Sequence, residues 1–168
     1  MPYRLSPDRH YPQPTERREM MSERFVRWEC FEANVRRVVD GDTIVIERGN
    51  LVMSIRIAHC DAPEDGQPWA TNAYQRLKDM IGGKPVRVIP IAADRYSRIV
   101  AEIMTADGHD CALELVRDGL AYWLPGKKRR EDIGEAEKEA QREGRGIWRD
   151  NTLVRPKQYR KNKRWITK

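Results

Sequence analysis

Alternation of apolar and polar residues begins at Phe31 and runs through Val35, Val38 and Val39 to a turn at Asp40-Gly41. Thr43-Ile44-Val45-Ile46 resumes the strand pattern, Glu47-Arg48-Gly49-Asn50 reads as a hairpin turn, and residues 51–58 form the return strand. After a loop carrying Pro63 and Gly66 the period lengthens. Pro68 can open a helix at its first position, Ala70, Ala73, Leu77, Met80 and Ile81 share one face, and Gly82-Gly83 ends it. Two further strands are predicted, 86–91 and 99–105, the second ending in a turn at Ala106-Asp107-Gly108. Asp110 suits the N-cap of a short helix ending at Gly119, with Ala112, Leu115 and Val116 inward. A third helix spans about 133–143, with Ile133, Ala136 and Ala140 on its narrow apolar side and Glu135–Lys138 and Glu139–Arg142 paired opposite. Ile147 and Trp148 are expected to dock on the core. Five strands with about three helices predict an α+β fold, a small closed barrel of OB type, whose open face commonly binds oligonucleotides.

Residues 1–28 are rich in proline, arginine and glutamate without periodicity and read as a disordered leader, with Met20 or Met21 as alternative starts. The remaining boundaries are a domain over 29–149 and a basic tail over 150–168. The formal charge of +6 is unevenly placed: Arg149 to Lys168 holds eight basic residues and one acid, so the rest of the chain is slightly acidic. Tyr159 and Trp165 interleave with those charges. Such a tail is either an arm for nucleic acid or a solvated appendage. No apolar run approaches the eighteen or so residues of a membrane span, and no apolar segment marks a secretory signal, so no membrane partner is expected. Cys30, Cys60 and Cys111, odd in number and widely spaced, predict no disulfide framework and fit a reducing, cytoplasmic setting, with export by another route left open. The oligomeric expectation is a monomer.

Four short segments carry the candidate chemistry: Asp40-Gly41-Asp42-Thr43, Arg56, Asp61-Ala62-Pro63-Glu64, and Asp94-Arg95-Tyr96-Ser97-Arg98. Three carboxylates could hold a hard cation and orient a water, and two arginines could clamp a phosphate; hydrolysis of a phosphodiester needs both. Singly, each segment has an ordinary reading. Asp-Gly is a turn signal, Asp61-x-Pro-Glu a loop or cap, Arg56 an exposed strand residue, and Arg98 a surface charge paired with Asp94. Only their conjunction points to a site. Arg56 and Asp61 are five apart, so strict alternation would put them on opposite faces; the strand must end or bulge between them.

In order and spacing these segments resemble the staphylococcal-nuclease family over about Val35 to Trp148. Leu115-Val116-Arg117-Asp118-Gly119-Leu120-Ala121 and the stretch from Glu137 to the Gly-Ile-Trp ending match as well. The resemblance implies Ca²⁺ held by Asp42 and Asp61 with a backbone carbonyl from Thr43, and Asp40 in support. It gives Glu64 the attacking water and Arg56 and Arg98 the phosphate. The implied activity is hydrolysis of DNA or RNA on the 5′ side of phosphorus, leaving 3′-phosphate ends with little sequence preference. Ser97 and His59 stand where the family usually has glycine. In place of the family's base-contacting tyrosines the chain runs Tyr122-Trp123-Leu124-Pro125-Gly126-Lys127; Tyr122 or Trp123 could stack on a base or pack in the core, and Lys127 could meet a phosphate. Two other classes compete: a non-catalytic nucleic-acid-binding barrel, whose signature would be a lost acid or arginine, and a protein-interaction scaffold with a basic binding tail. None of the acids or arginines is lost here.

Overall fold

The computed structural model describes residues 29–126, 129–149 and 154–166, with side chains to 162 in the last stretch; the expected leader lies outside them. In chain order the strands are β1 (Phe31–Val38), β2 (Thr43–Arg48), β3 (Leu51–Ile57), β4 (Cys60–Asp61), β5 (Pro85–Ala93), β6 (Ile99–Thr105) and β7 (Tyr122–Trp123). Five of them close a barrel in the order β1-β2-β3-β6-β5, and β4 and β7 form a separate two-stranded ladder. This is the expected α+β, OB-type barrel. Every barrel neighbour is antiparallel except β3 and β6, which run parallel with Ile55 opposite Ile99 and Arg56 opposite Val100.

The strand pattern explains the closure. Val35 faces the core, yet so does Val38, an odd number of residues later; a bulge between Val35 and Arg37 resets the alternation, bending β1 as a small barrel requires. A second bulge between Pro90 and Ala92 lets β5 tolerate a proline that cannot donate to a ladder. Ile44, Ile46, Ile55, Ile57, Val88 and Ile103 fill the interior, all at most 1% exposed.

Four α-helices lie among the described residues: α1 (Ala70–Ile81), α2 (Cys111–Arg117), α3 (Glu131–Glu143) and α4 (Pro156–Ile166), with a 3-10 turn at Gly146–Arg149. Asp110 caps α2 as its sequence predicts, accepting from the amides of Ala112 and Leu113. The first helix begins at Ala70, two residues beyond Pro68, because Trp69 takes a left-handed conformation (φ 71°) ahead of it. Helix α3 starts at Glu131, earlier than its apolar face indicates, and Lys138 donates to Glu135 at 2.7 Å on its outer side. Gly134 brings α3 against the Trp123 ring, since a Cβ there would lie 3.0 to 3.2 Å from three ring carbons. Helix α4 is a fourth helix within the basic tail, and it packs where the chemistry is. No helix among the described residues is long and apolar enough to cross a membrane.

Candidate functional site

Gly41 is the pivot of the site. A Cβ at this position would lie 2.6 Å from Ala62 Cβ and 2.7 Å from Ala73 Cβ, so only glycine lets the β1–β2 turn press against β4 and α1. That approach seats Asp42 beside the loop after β4, where its Oδ2 accepts from the Ala62 amide at 2.7 Å. Asp40 Oδ1 accepts from the Asp42 amide at 3.0 Å and fixes the turn. The Thr43 hydroxyl donates to Asp42 Oδ1 at 3.1 Å. The Thr43 carbonyl, the expected cation ligand, accepts from the amides of Val39 and Asp40 at 2.9 and 3.3 Å, so any cation would share that oxygen with the turn.

Arg56 sits on β3 directly across the ladder from Thr43. Its Nη1 lies 2.7 Å from Asp42 Oδ2 and its Nη2 2.9 Å from Asp61 Oδ1, bridging the two acids with its side chain 14% exposed. The parity conflict between Arg56 and Asp61 is resolved by a break: β3 ends at Ile57, His59 turns with φ 65°, and β4 begins at Cys60. His59 is buried and pairs with Glu102 at 3.0 Å. Asp61 is held in register opposite Tyr122 of β7.

Burial dominates the electrostatics. It pushes the Asp42 carboxyl up to about 7, against the charge of Arg56 and the Ala62 hydrogen bond, with Asp40 and Asp61 adding to the rise. Burial opposes the charge of Arg56 too, but Asp42 and its neighbours hold that guanidinium above its ordinary value. Burial, reinforced by Asp42, keeps the Cys60 thiol far above the usual range and therefore inert.

Glu64 lies on the loop after β4, its amide donating to Gln67 Oε1 at 2.9 Å. Its carboxylate pairs with Arg160 of α4, which also stands 3.6 Å from Asp61 Oδ1. Arg98 precedes β6, two residues before the partner of Arg56. Its Nε lies 2.8 Å from Asp94 Oδ2, and Ser97 takes a left-handed backbone (φ 61°) that glycine would adopt without strain. Asp94 is partly desolvated, yet hydrogen bonds from Arg98 and Tyr96 lower it below the usual carboxylate range. Asp42, Arg56 and Asp61 thus meet directly and Glu64 joins them through Arg160, whereas Arg98, just before β6, is paired with Asp94.

Of the weaker substrate candidates, both aromatic rings pack. Tyr122 is buried, edge-on to Trp148 at 5.2 Å and covered by Arg155 at 4.8 Å. Trp123 lies against Gly134, and its amide donates to the buried Glu137 carboxylate at 2.9 Å. Lys127 lies outside the described residues. Sequence reading missed Arg160, Arg155 and Gln67. Pro156 followed by a run of helix-forming residues was the available signal for α4.

Among the described residues no three His, Cys, Asp or Glu side chains are grouped to hold a metal ion. Two carboxylates nevertheless converge on one cationic point, the Arg56 guanidinium. The nearby softer donors are committed, Cys60 by burial as a thiol and His59 by Glu102. An all-oxygen set of two carboxylates, completed by carbonyl and water, fits a hard cation.

The closed five-stranded barrel, with Asp42, Arg56 and Asp61 in direct contact, is of OB type. The sequence profile described as staphylococcal nuclease homologue matches residues 54–150. A protein of Shigella flexneri named micrococcal nuclease is 33% identical over 144 residues, covering 80% of this chain and 83% of that one. An uncharacterized endonuclease of Haemophilus influenzae is 32% identical over 137 residues, or 79% and 76% of the two chains. A staphylococcal-like nuclease of Arabidopsis thaliana, CAN1, is 31% identical over 110 residues, 66% of this chain and 34% of that protein. The chain belongs to the staphylococcal-nuclease family.

Proposed function

We propose that this protein is a Ca²⁺-dependent nuclease that hydrolyses phosphodiester bonds of DNA or RNA and leaves 3′-phosphate ends. The observation that carries the reading is the bridge from Asp42 through Arg56 to Asp61, with Glu64 on its rim. The names of the related chains support the same class of reaction.

Asp42 and Asp61 would hold the cation, which when bound supplies Lewis-acid polarisation of the phosphate. Glu64 orients a water and takes its proton as the water oxygen bonds to phosphorus. The bond from phosphorus to the 5′ oxygen then breaks, that oxygen takes a proton from solvent and leaves as a 5′ hydroxyl, and the phosphate stays on the 3′ side. Arg56 and Arg98 grip the phosphate oxygens and neutralise the charge that grows there. Arg98 spends only its Nε on Asp94, which keeps both Nη groups for that task. Arginine suits this better than lysine, because a planar fork matches two phosphate oxygens at once.

The deciding experiment incubates purified protein with single-stranded DNA and RNA in calcium, then in excess chelator, and analyses the product ends. Cleavage in calcium that stops with chelator and yields 3′-phosphates is the expected result. Tight binding without cleavage would make this a binding barrel instead.

A further inference from the structure

Helix α4 is attached to the site by contacts that do not involve the site's charges. Gln67 Nε2 donates to the Val154 carbonyl at 2.7 Å, while the same side chain takes the Glu64 amide through its Oε1. One glutamine therefore fixes both the loop of Glu64 and the entrance to α4. Arg155 lies over the Tyr122 ring, and Pro156 is buried. Tyr159 comes up against Gly66, where a Cβ would lie 3.1 Å from its hydroxyl. None of these contacts is made by the carboxylate of Asp42, Asp61 or Glu64.

From that anchored helix Arg160 reaches inward. Its guanidinium pairs with Glu64 and lies 3.6 Å from Asp61 Oδ1, the oxygen that Arg56 Nη2 holds at 2.9 Å. Two guanidinium groups thus converge on one carboxylate oxygen. Such neighbours repel and stay together only while anionic oxygen lies between them. If Asp61 gives its charge to a cation and Glu64 turns to a water, the anionic oxygen left for Arg160 is that of the substrate.

We propose that Arg160 is a third phosphate-binding arginine, supplied by α4, that positions a backbone phosphate of the nucleic-acid strand at the mouth of the site beside Glu64. This rests on the nuclease reading above. It extends the working site beyond the barrel into the basic segment, whose exposed Lys157 and Lys161 flank Arg160 on the same helix. A helix that merely plugged the site would hold on mainly through the carboxylates, and α4 has its own anchor.

The test uses the full chain with Arg160→Gln and Arg160→Lys. The probe is a single-stranded hexanucleotide whose linkages carry a methylene in place of the bridging oxygen, which keeps the charge and resists cleavage. Affinity is measured in calcium at several salt concentrations. Arg160→Gln should bind about tenfold more weakly, the effect of one charge-assisted contact, and its log K against log[salt] slope should flatten by about 0.7, one phosphate on a single strand. Arg160→Lys should keep the wild-type slope. On cleavable DNA the glutamine variant should raise KM more than it lowers kcat. Unchanged affinity and slope would reduce the contact to a solvated ion pair, and tighter binding would make α4 a competitor of substrate; either overturns the proposal. Wild-type cleavage measured in parallel tests the nuclease reading separately, because the binding comparison decides Arg160 even where no cleavage is seen.

Discussion

Replacing Asp42 by asparagine separates what this residue costs the fold from what it does for the site. Asparagine keeps an oxygen to accept the Ala62 amide and leaves Arg56 its second partner, Asp61. What it removes is a carboxylate whose pKa burial drives from 3.8 to about 7. The folded protein holds that proton more tightly than the unfolded chain does, so stability falls as pH rises from about 4 to about 7 and is level above. At ~1.4 kcal/mol per pH unit, the ionised Asp42 costs the cation-free fold on the order of 4 kcal/mol at and above neutral pH. Asp42→Asn should therefore be the more stable protein in chelator, by a margin that grows across that window. Calcium at a hundred times its Kd should return roughly 2.7 kcal/mol to the wild type and nothing to the variant. Urea unfolding at pH 4, 6 and 8, with and without calcium, measures both effects. A wild type as stable as Asp42→Asn at pH 8 in chelator would refute the argument.

Arg56→Lys and Arg98→Lys should each lower kcat by on the order of a hundredfold, because a point charge cannot reproduce a two-pronged grip; steady-state kinetics on one DNA substrate checks this, and a pure KM effect would assign the residues to ground-state binding. Gly41→Ala should cost roughly 1–3 kcal/mol by overpacking the turn against Ala62 and Ala73, read as a lower urea midpoint.

The barrel was legible because its strands are runs of plain alternation, long enough for a period to be seen. The exceptions have local causes. Strands β4 and β7 are two residues each, and a ladder that short leaves no periodic trace; the Asp61–Tyr122 pairing is set by the loops around it. Trp69 and His59 adopt left-handed backbone without being glycine, so neither the late start of α1 nor the break after Ile57 is announced by residue type. Asp42, Arg56 and Asp61 were readable as neighbours, since the turn before β2, the end of β3 and β4 follow closely in the chain. The environment of Asp42 was not. An Asp-Gly-Asp turn reads as exposed, and only the close packing at Gly41 buries it. Tyr122 and Trp123 were open between stacking and packing because their environment depends on α3, Trp148 and Arg155, all distant in sequence. Arg160 was hidden for the same reason: a basic helix reveals its charge but not the surface it lies on.

The parallel seam between β3 and β6 determines when the site comes into being. Strands β1 to β3 are neighbours in sequence and can pair as they meet, but β6 reaches β3 only after α1 and β5 have been laid down between them. The entropy of closing that long loop, and the still longer one between β1 and β5, is met before the contacts repay it, which sets closure of the barrel late in folding. Arg56 stands on one lip of the seam and Arg98 enters on the other. An open barrel would carry Asp42 and Arg56 on its early strands, yet β6, with Arg98 just before it, would stay unpaired from β3 until the ring shuts. Competence for the proposed chemistry would then arrive in a single step with closure, leaving an unfinished chain little capacity to cut the nucleic acid from which it is being made.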